Sequence, residues 1–252
     1  MDIRVVTLFP EMVAAGTGYG VCGRAIRKGL VRLGTVNPRD YATDVHRTVD
    51  DRPYGGGPGM VLKVEPFQAA IATARERIPS GSRVVFLTPQ GRPFRQSVAE
   101  ELAALPGMVL VAGRYEGFDE RLVEASADDE ISLGDFVLSG GEVAAAAIID
   151  AVVRLLPGTL GDEDSAAQDS FSDGLLDCPH FTRPEEFAGR RVPRVLLDGN
   201  HEEIRRWRLQ QALGRTSQRR PELLARRELS AEEERLLDEF LAEAAAAKPH
   251  EH

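Results

Sequence analysis

Apolar residues in this chain fall into two kinds of pattern, and each predicts an element. Ile3 to Phe9 is a β-branched, apolar run closed by Pro10, Arg83 to Thr88 is continuous until Pro89-Gln90-Gly91, and Met108 to Ala112 is apolar throughout. Runs of this length bounded by turn residues predict buried strands. Arg24 to Leu33 places Ile26, Leu30 and Leu33 at i, i+4 and i+7 with basic residues opposite, and Phe67 to Ile78 and Gln96 to Leu105 also read as helices. Glu142 to Leu156 is apolar nearly all round, which predicts a helix buried in a core or facing a second copy. Strands that are apolar on both faces and interleaved with helices predict an α/β fold with a mostly parallel sheet flanked by helices. Ligands in such sheets sit beyond the carboxyl ends of the strands. Pro89–Gly91, Gly113–Gly117 and Gly134–Gly141 all fall at such ends, so three loops can converge on one pocket.

After Gly161 the composition changes abruptly. GDEDSAAQDSFSDG, Gly161 to Gly174, is acidic, small and polar, and reads as a mobile interdomain linker. Beyond it the pattern is helical. Asn200 and Glu203 are spaced as a capping pair, Ser230 and Glu233 form an S-x-x-E box, and Leu236, Leu237, Phe240 and Leu241 give the last helix an apolar face. The expected organisation is an α/β domain over 1–160, a linker over 161–176, a small all-helical domain over 177–247 and a disordered tail over 248–252.

Composition narrows the class. The chain has 252 residues, 42% of them hydrophobic, enough for a sizeable core. No apolar run approaches the ~18 to 20 residues that span a bilayer, and MDIRVVTLFPEM lacks the basic-then-apolar form of a signal peptide, so the expectation is a cytoplasmic protein with no membrane partner. Cys22 and Cys178 are too few for a disulfide framework and are expected as reduced thiols. The net charge of -9 argues against indiscriminate polyanion binding. Between Arg190 and Arg227, however, stand eleven arginines against Asp198, Glu202, Glu203 and Glu222, leaving +7. Interleaved with Trp207, that helical stretch reads as a nucleic-acid surface, against the plainer reading of a solvated face.

Several motifs carry candidate chemistry. Gly18-Tyr19-Gly20-Val21-Cys22-Gly23 matches G-x-G-x-x-G with Asp40 beyond it, which would suggest a dinucleotide site. Its glycines should follow a strand directly, yet Pro10 to Thr17 intervene, so a glycine-rich surface turn fits better. Tyr41 to Val64 reads as a long loop carrying Asp44, His46, Asp50, Asp51 and Arg52 before a glycine cluster, with no clean metal-ligand spacing and no phosphate-loop lysine. Gly113 to Glu142 is bracketed by two glycine clusters, the second opening a helix whose free N–H groups suit a polar ligand. Arg154 is a charge among apolar neighbours: either it has an anionic partner, or it complements the helix dipole before Pro157.

Tyr54-Gly-Gly-Gly-Pro-Gly-Met60, Gly113-Arg-Tyr-Glu-Gly117, Leu133-Gly-Asp-Phe-Val-Leu-Ser-Gly-Gly141, Asp169-Ser-Phe171, Gly174-Leu-Leu-Asp-Cys-Pro-His180 and His201-Glu-Glu-Ile-Arg-Arg-Trp-Arg208 run in order along almost the whole chain. Together they resemble the bacterial tRNA (guanine-N1-)-methyltransferases, enzymes that methylate the guanosine at tRNA position 37, 3′ of the anticodon. The resemblance implies a SPOUT-class sheet domain with a deep trefoil knot, S-adenosyl-L-methionine as cofactor, tRNA as partner, and a homodimer with each active site at the subunit interface. By the same resemblance the cofactor-binding residues are Leu87, Pro89, Gly113, Tyr115, Glu116, Leu133, Gly134, Asp135, Phe136, Val137, Leu138, Gly140 and Gly141. Phe136 stands where the family commonly has tyrosine. Guanine N1 carries a proton near neutral pH, so attack on a sulfonium methyl needs a general base and a group to stabilise charge spreading to O6. Asp169 fits the base and Arg154 the electrostatic partner; the resemblance supports both, with Asp169 acting on the other subunit's site from the linker. Asp177 and Ser170 match with less defined roles. Mg²⁺ is left open, with Glu116 the group that would help hold it. A catalytically silent RNA-binding module and a nicotinamide oxidoreductase are the alternative readings.

Overall fold

The computed structural model describes residues 1–161 and 169–246. The expected tail, 248–252, and residues 162–168 of the expected linker lie outside the described residues. The chain divides into two compact units, Met1–Glu163 and Asp164–His252.

In the first unit β1 (Asp2–Val6) leads to α1 (Pro10–Thr17), where Pro10 takes the first helical turn rather than merely ending a strand. α2 (Gly20–Arg27) and β2 (Arg32–Val36) follow, then the short strands β3 (Asp50–Asp51) and β4 (Val61–Leu62), and α3 (Val64–Glu76). The remaining elements are β5 (Arg83–Pro93), α4 (Gln96–Ala103), β6 (Gly107–Ala112), α5 (Glu120–Ser126), β7 (Asp129–Ser132) and α6 (Glu142–Val153). The helix expected over Arg24–Leu33 therefore starts earlier and stops at Arg27. Gly29 turns the chain at φ 74°, and Leu33 belongs to β2. Ile26, Leu30 and Leu33 still pack on one core, so a single apolar spacing spans helix, turn and strand. The G-x-G-x-x-G stretch caps α1 and opens α2, away from any strand end, which removes the structural basis for a dinucleotide site.

The sheet has order β2-β1-β6-β5-β7 and all its pairings are parallel. β6 is buried from end to end because both faces are covered. Met108, Leu110 and Ala112 face a core shared with α1, α2, α4 and α6. Val109 and Val111 face the opposite core, made with Phe67, Ala70 and Ile71 of α3 and Leu122 of α5. That is the period-two arithmetic of a strand. No helix among the described residues is long and apolar enough to cross a membrane.

The second unit adds a two-stranded hairpin, β8 (Glu186–Phe187) with β9 (Arg190–Arg191), and the helices α7 (His201–Arg219), α8 (Pro221–Leu224) and α9 (Ala231–Ala246). Its core is Leu175, Leu213 and Leu236, with Leu209, Leu224 and Leu237 against them; Leu241 is instead exposed. Asn200 Oδ1 accepts from the Glu202 and Glu203 N–H groups. Ser230 and Glu233 close the reciprocal box: the Ser230 N–H donates to Glu233 Oε2 at 2.8 Å and the Glu233 N–H donates to Ser230 Oγ at 3.3 Å. Residues 169–176 are tied to this unit, because the Leu176 N–H donates to Thr216 Oγ1 and the Phe171 N–H to Leu175 O.

Candidate active site

A cleft of about 330 Å³ opens at the carboxyl ends of β5, β6 and β7, within the size range of small-molecule sites. Its first wall comes from an irregularity in β5. Leu87 pairs with Ile131, the chain leaves the sheet, and Arg92 pairs with Ile131 again. Pro89-Gln90-Gly91 thus interrupts the strand without ending it. The return is pinned twice. A Cβ on Gly91 would stand 2.4 Å from the Glu130 carbonyl carbon, and the Arg92 guanidinium donates to Asp129 at 2.6 Å and to Glu101 at 2.9 Å. Hydrogen bonds from Arg92, then Arg83, hold the Glu101 carboxyl below the usual range.

The second wall is the loop after β6. Tyr115 takes φ 58°, a left-handed conformation that is strained for a bulky residue. Gly117, at φ 107°, lets the chain turn back. The Glu116 N–H donates to Met60 O at 3.0 Å and the Leu62 N–H to Gly117 O at 2.9 Å, so β4 and the residue before it are tied to this wall; the stretch expected as one long loop is broken by the β3–β4 pair. The Asp119 carboxylate caps α5 through the Arg121 N–H, and the Arg121 guanidinium holds it below the usual carboxylate range.

The third wall runs from Leu133 into α6. The Gly141 N–H donates to Gly113 O at 2.8 Å, and Arg114 and Gly140 form an antiparallel bridge, so the two glycine clusters are bonded to each other. Beneath them Glu142 is 1% exposed. Its carboxylate accepts from Arg114 Nε at 2.9 Å and from Thr7 Oγ1 at 2.9 Å. Breaking one partner of such a buried pair costs about 3–5 kcal/mol because the other charge stays buried. Neither residue stood out in the sequence as a pair, since 28 positions separate them.

Leu87, Pro89, Gly113, Tyr115, Glu116, Leu133, Gly134, Phe136, Val137, Leu138, Gly140 and Gly141 all line this cleft. Asp135 does not; it is exposed in the same loop. Arg154 caps the carboxyl end of α6, half-buried, at the opposite end of that helix from Gly141. Asp169 belongs to the second unit, where its carbonyl accepts from the Ser172 N–H. Ser170 Oγ accepts from the Asp177 N–H at 3.0 Å, and His180 Nε2 lies 2.6 Å from Asp177 Oδ2. Asp177, Cys178 and His180 bring ligand-type atoms within 4.8 Å of one another, although burial, then the Asp177 charge, pushes the Cys178 thiol up.

The arginine-rich stretch is less cationic than its own residues suggest. Arg191 pairs with Glu186, Arg194 with Asp198, Arg205 with Glu202 and Glu232, Arg206 with Glu239, Arg220 with Glu222 and Arg227 with Glu233. Four of those acids lie outside the Arg190–Arg227 window. Arg190, Arg208, Arg219 and Arg226 are exposed, and with the half-buried Arg215 they carry no such pairing among the described residues. These five are the cationic remainder.

Comparison with known proteins matches residues 1–226 to the family described as tRNA (Guanine-1)-methyltransferase TrmD. Similar chains named tRNA (guanine-N(1)-)-methyltransferase occur in Pseudomonas fluorescens, 58% identical over 96% of this chain and 97% of the relative, and in Hahella chejuensis, 60% identical over 94% and 92%. A third, from Chromohalobacter salexigens, is 61% identical over 98% and 95%.

Proposed function

Because the chain belongs to the tRNA (guanine-1)-methyltransferase family, we propose that it transfers the methyl group of S-adenosyl-L-methionine to N1 of the guanosine at tRNA position 37. The observation that carries this reading is the cleft, which gathers three strand-end loops around exposed backbone. Its lining suits the donor: Tyr115 and Phe136 offer aromatic faces, and Glu116, Glu120 and Glu130 give the cleft a negative charge that would favour a cationic donor. When bound, S-adenosyl-L-methionine would supply an electrophilic methyl; the protein supplies position and proton transfer.

Asp169 takes the N1 proton as general base, and Arg154 faces the charge that spreads to O6. Arg154 supports a dimeric site. α6 is 12 residues long, about 18 Å at 1.5 Å per residue, and the cleft adjoins its other end, which supports a site completed by a second copy, with Asp169 acting on the other subunit's site. Val143 and Ala147 lie exposed on the α6 face that also carries the exposed Asp150 and runs on to Arg154. The unpaired arginines of the helical unit hold the phosphate backbone, in the cytoplasm where tRNA is modified. Phe136 would cover the adenosine with its ring, without the hydroxyl of the usual tyrosine. Were Mg²⁺ to take part, Glu116 is the group that would help hold it.

The test is single-turnover transfer of labelled methyl to tRNA. Wild type should methylate a transcript with guanosine at position 37 and leave the adenosine-substituted one unmodified. Asp169→Ala and Arg154→Ala should lose most activity, on the order of 10²-fold or more for the base, while still binding donor. Near-normal rates for Asp169→Ala would remove it as the base, and tRNA binding without any transfer by wild type would replace the enzyme with an RNA-binding module.

A further inference from the structure

We infer that Arg114 is a positioning residue for the methyl donor: braced on the buried Glu142, it sets the spacing between the two glycine loops that hold the donor. The inference rests on the methyltransferase reading of the cleft and assigns a role that reading does not contain.

The guanidinium makes four contacts in different directions. Nε donates to Glu142 Oε2 at 2.9 Å, one terminal nitrogen reaches Ser139 O at 3.4 Å, the other lies 3.1 Å from Met12 Sδ, and the group sits 4.4 Å from the Phe9 ring centroid. Ser139 belongs to the loop before α6, whereas Phe9 and Met12 belong to the start of α1. One side chain thus ties the loop after β6 to both. Its anchor is rigid, because Glu142 also accepts from Thr7 Oγ1, which in turn accepts from the Phe9 N–H at 2.9 Å. The fit leaves no slack: a Cβ on Gly140 would stand 2.3 Å from Arg114 Nε. Arg114 itself lines the cleft. A lysine could neutralise Glu142 as a point charge but could not fork to Ser139 and lie over Phe9 at once.

The proposal separates holding the fold from placing the loops. Arg114→Lys keeps the buried carboxylate neutralised, so its thermal midpoint should stay close to wild type. Donor KM and donor Kd should rise about tenfold, with kcat at saturating donor and tRNA KM little changed, the split expected when binding geometry rather than chemistry is lost. Arg114→Met/Glu142→Gln removes both charges and serves if the lysine variant does not fold; it too should bind donor weakly. The full chain is used, with calorimetric titration of S-adenosyl-L-methionine beside the methylation assay. Wild-type donor affinity in either variant overturns the positioning role while leaving the methyltransferase reading intact. Failure of wild type itself to bind donor or methylate tRNA would sink the parent reading instead.

Discussion

Gly141→Ala probes how α6 is seated against the sheet. The new Cβ would stand 2.8 Å from Ala112 Cα, 3.0 Å from Gly113 N and 3.2 Å from Ala112 Cβ. Gly141 already has helical angles, φ -76° and ψ -6°, so alanine meets no conformational objection and the whole effect is spatial. Two of the three contacted atoms are backbone of β6 and its exit, and Ala112 is fully buried, so the sheet side cannot yield. The amino end of α6 must retreat by nearly 1 Å to restore ordinary contact, stretching the 2.8 Å bond from the Gly141 N–H to Gly113 O. Overpacking of this kind costs about 1–3 kcal/mol, and weakening the hydrogen bond adds roughly 0.5–1 kcal/mol. For a unit of this size each kcal/mol lowers Tm by about 2–4 °C, so a fall of roughly 3–16 °C is expected by scanning calorimetry. Donor affinity should fall with it, since Gly140, Gly141 and Ala144 line the cleft. Gly161→Ala is the control, because no atom of the described residues lies within 4 Å of its Cβ. A Gly141→Ala variant whose Tm and donor affinity match that control would refute the idea that this contact seats the helix.

Gly214→Ala should destabilise the second unit, because its Cβ would stand 2.2 Å from the Phe240 ring where α7 meets α9; a loss of about 1–3 kcal/mol in denaturant unfolding of that unit is expected, and an unchanged midpoint would show that the helices can part freely. Burial, then the Asp150 charge, raises the Cys22 thiol from 9.0 to about 11. The folded thiol therefore keeps its proton where the unfolded one loses it, so its contribution is complete below pH 9 and is lost as pH rises towards 11. Cys22→Ala should show a shallower fall of Tm over that interval, and equal slopes would contradict the assignment.

The parallel sheet was legible wherever a strand is covered on both sides. β6 reads as a strand because Met108 to Ala112 has no solvent face to encode. β7 escaped because Asp129-Glu130-Ile131-Ser132 is an edge strand with its first half only partly buried, leaving too short an apolar signal. α1 escaped because proline ends strands and begins helices alike, and the residues after Pro10 alone do not choose between them. The cleft was legible as glycine clusters at strand ends. What could not be read was pairing across distance: that Glu142 meets Arg114 and Thr7, or that Glu232, Glu233 and Glu239 on α9 neutralise arginines of an earlier segment.

The double pairing of Ile131 has a consequence for how this enzyme family can vary. Residues 88–91 leave the sheet and rejoin it at the same rung, as a siding rejoins a track. Because no downstream register depends on how far the chain travels in between, residues can be added to or removed from this excursion without slipping a single strand. Thr88, Pro89 and Gln90 line the cleft wall, so a change of side chain or length there alters the cleft before it alters the pairing of β5 with β7. The strand register is held on either side of the excursion, and the cleft wall is shaped within it.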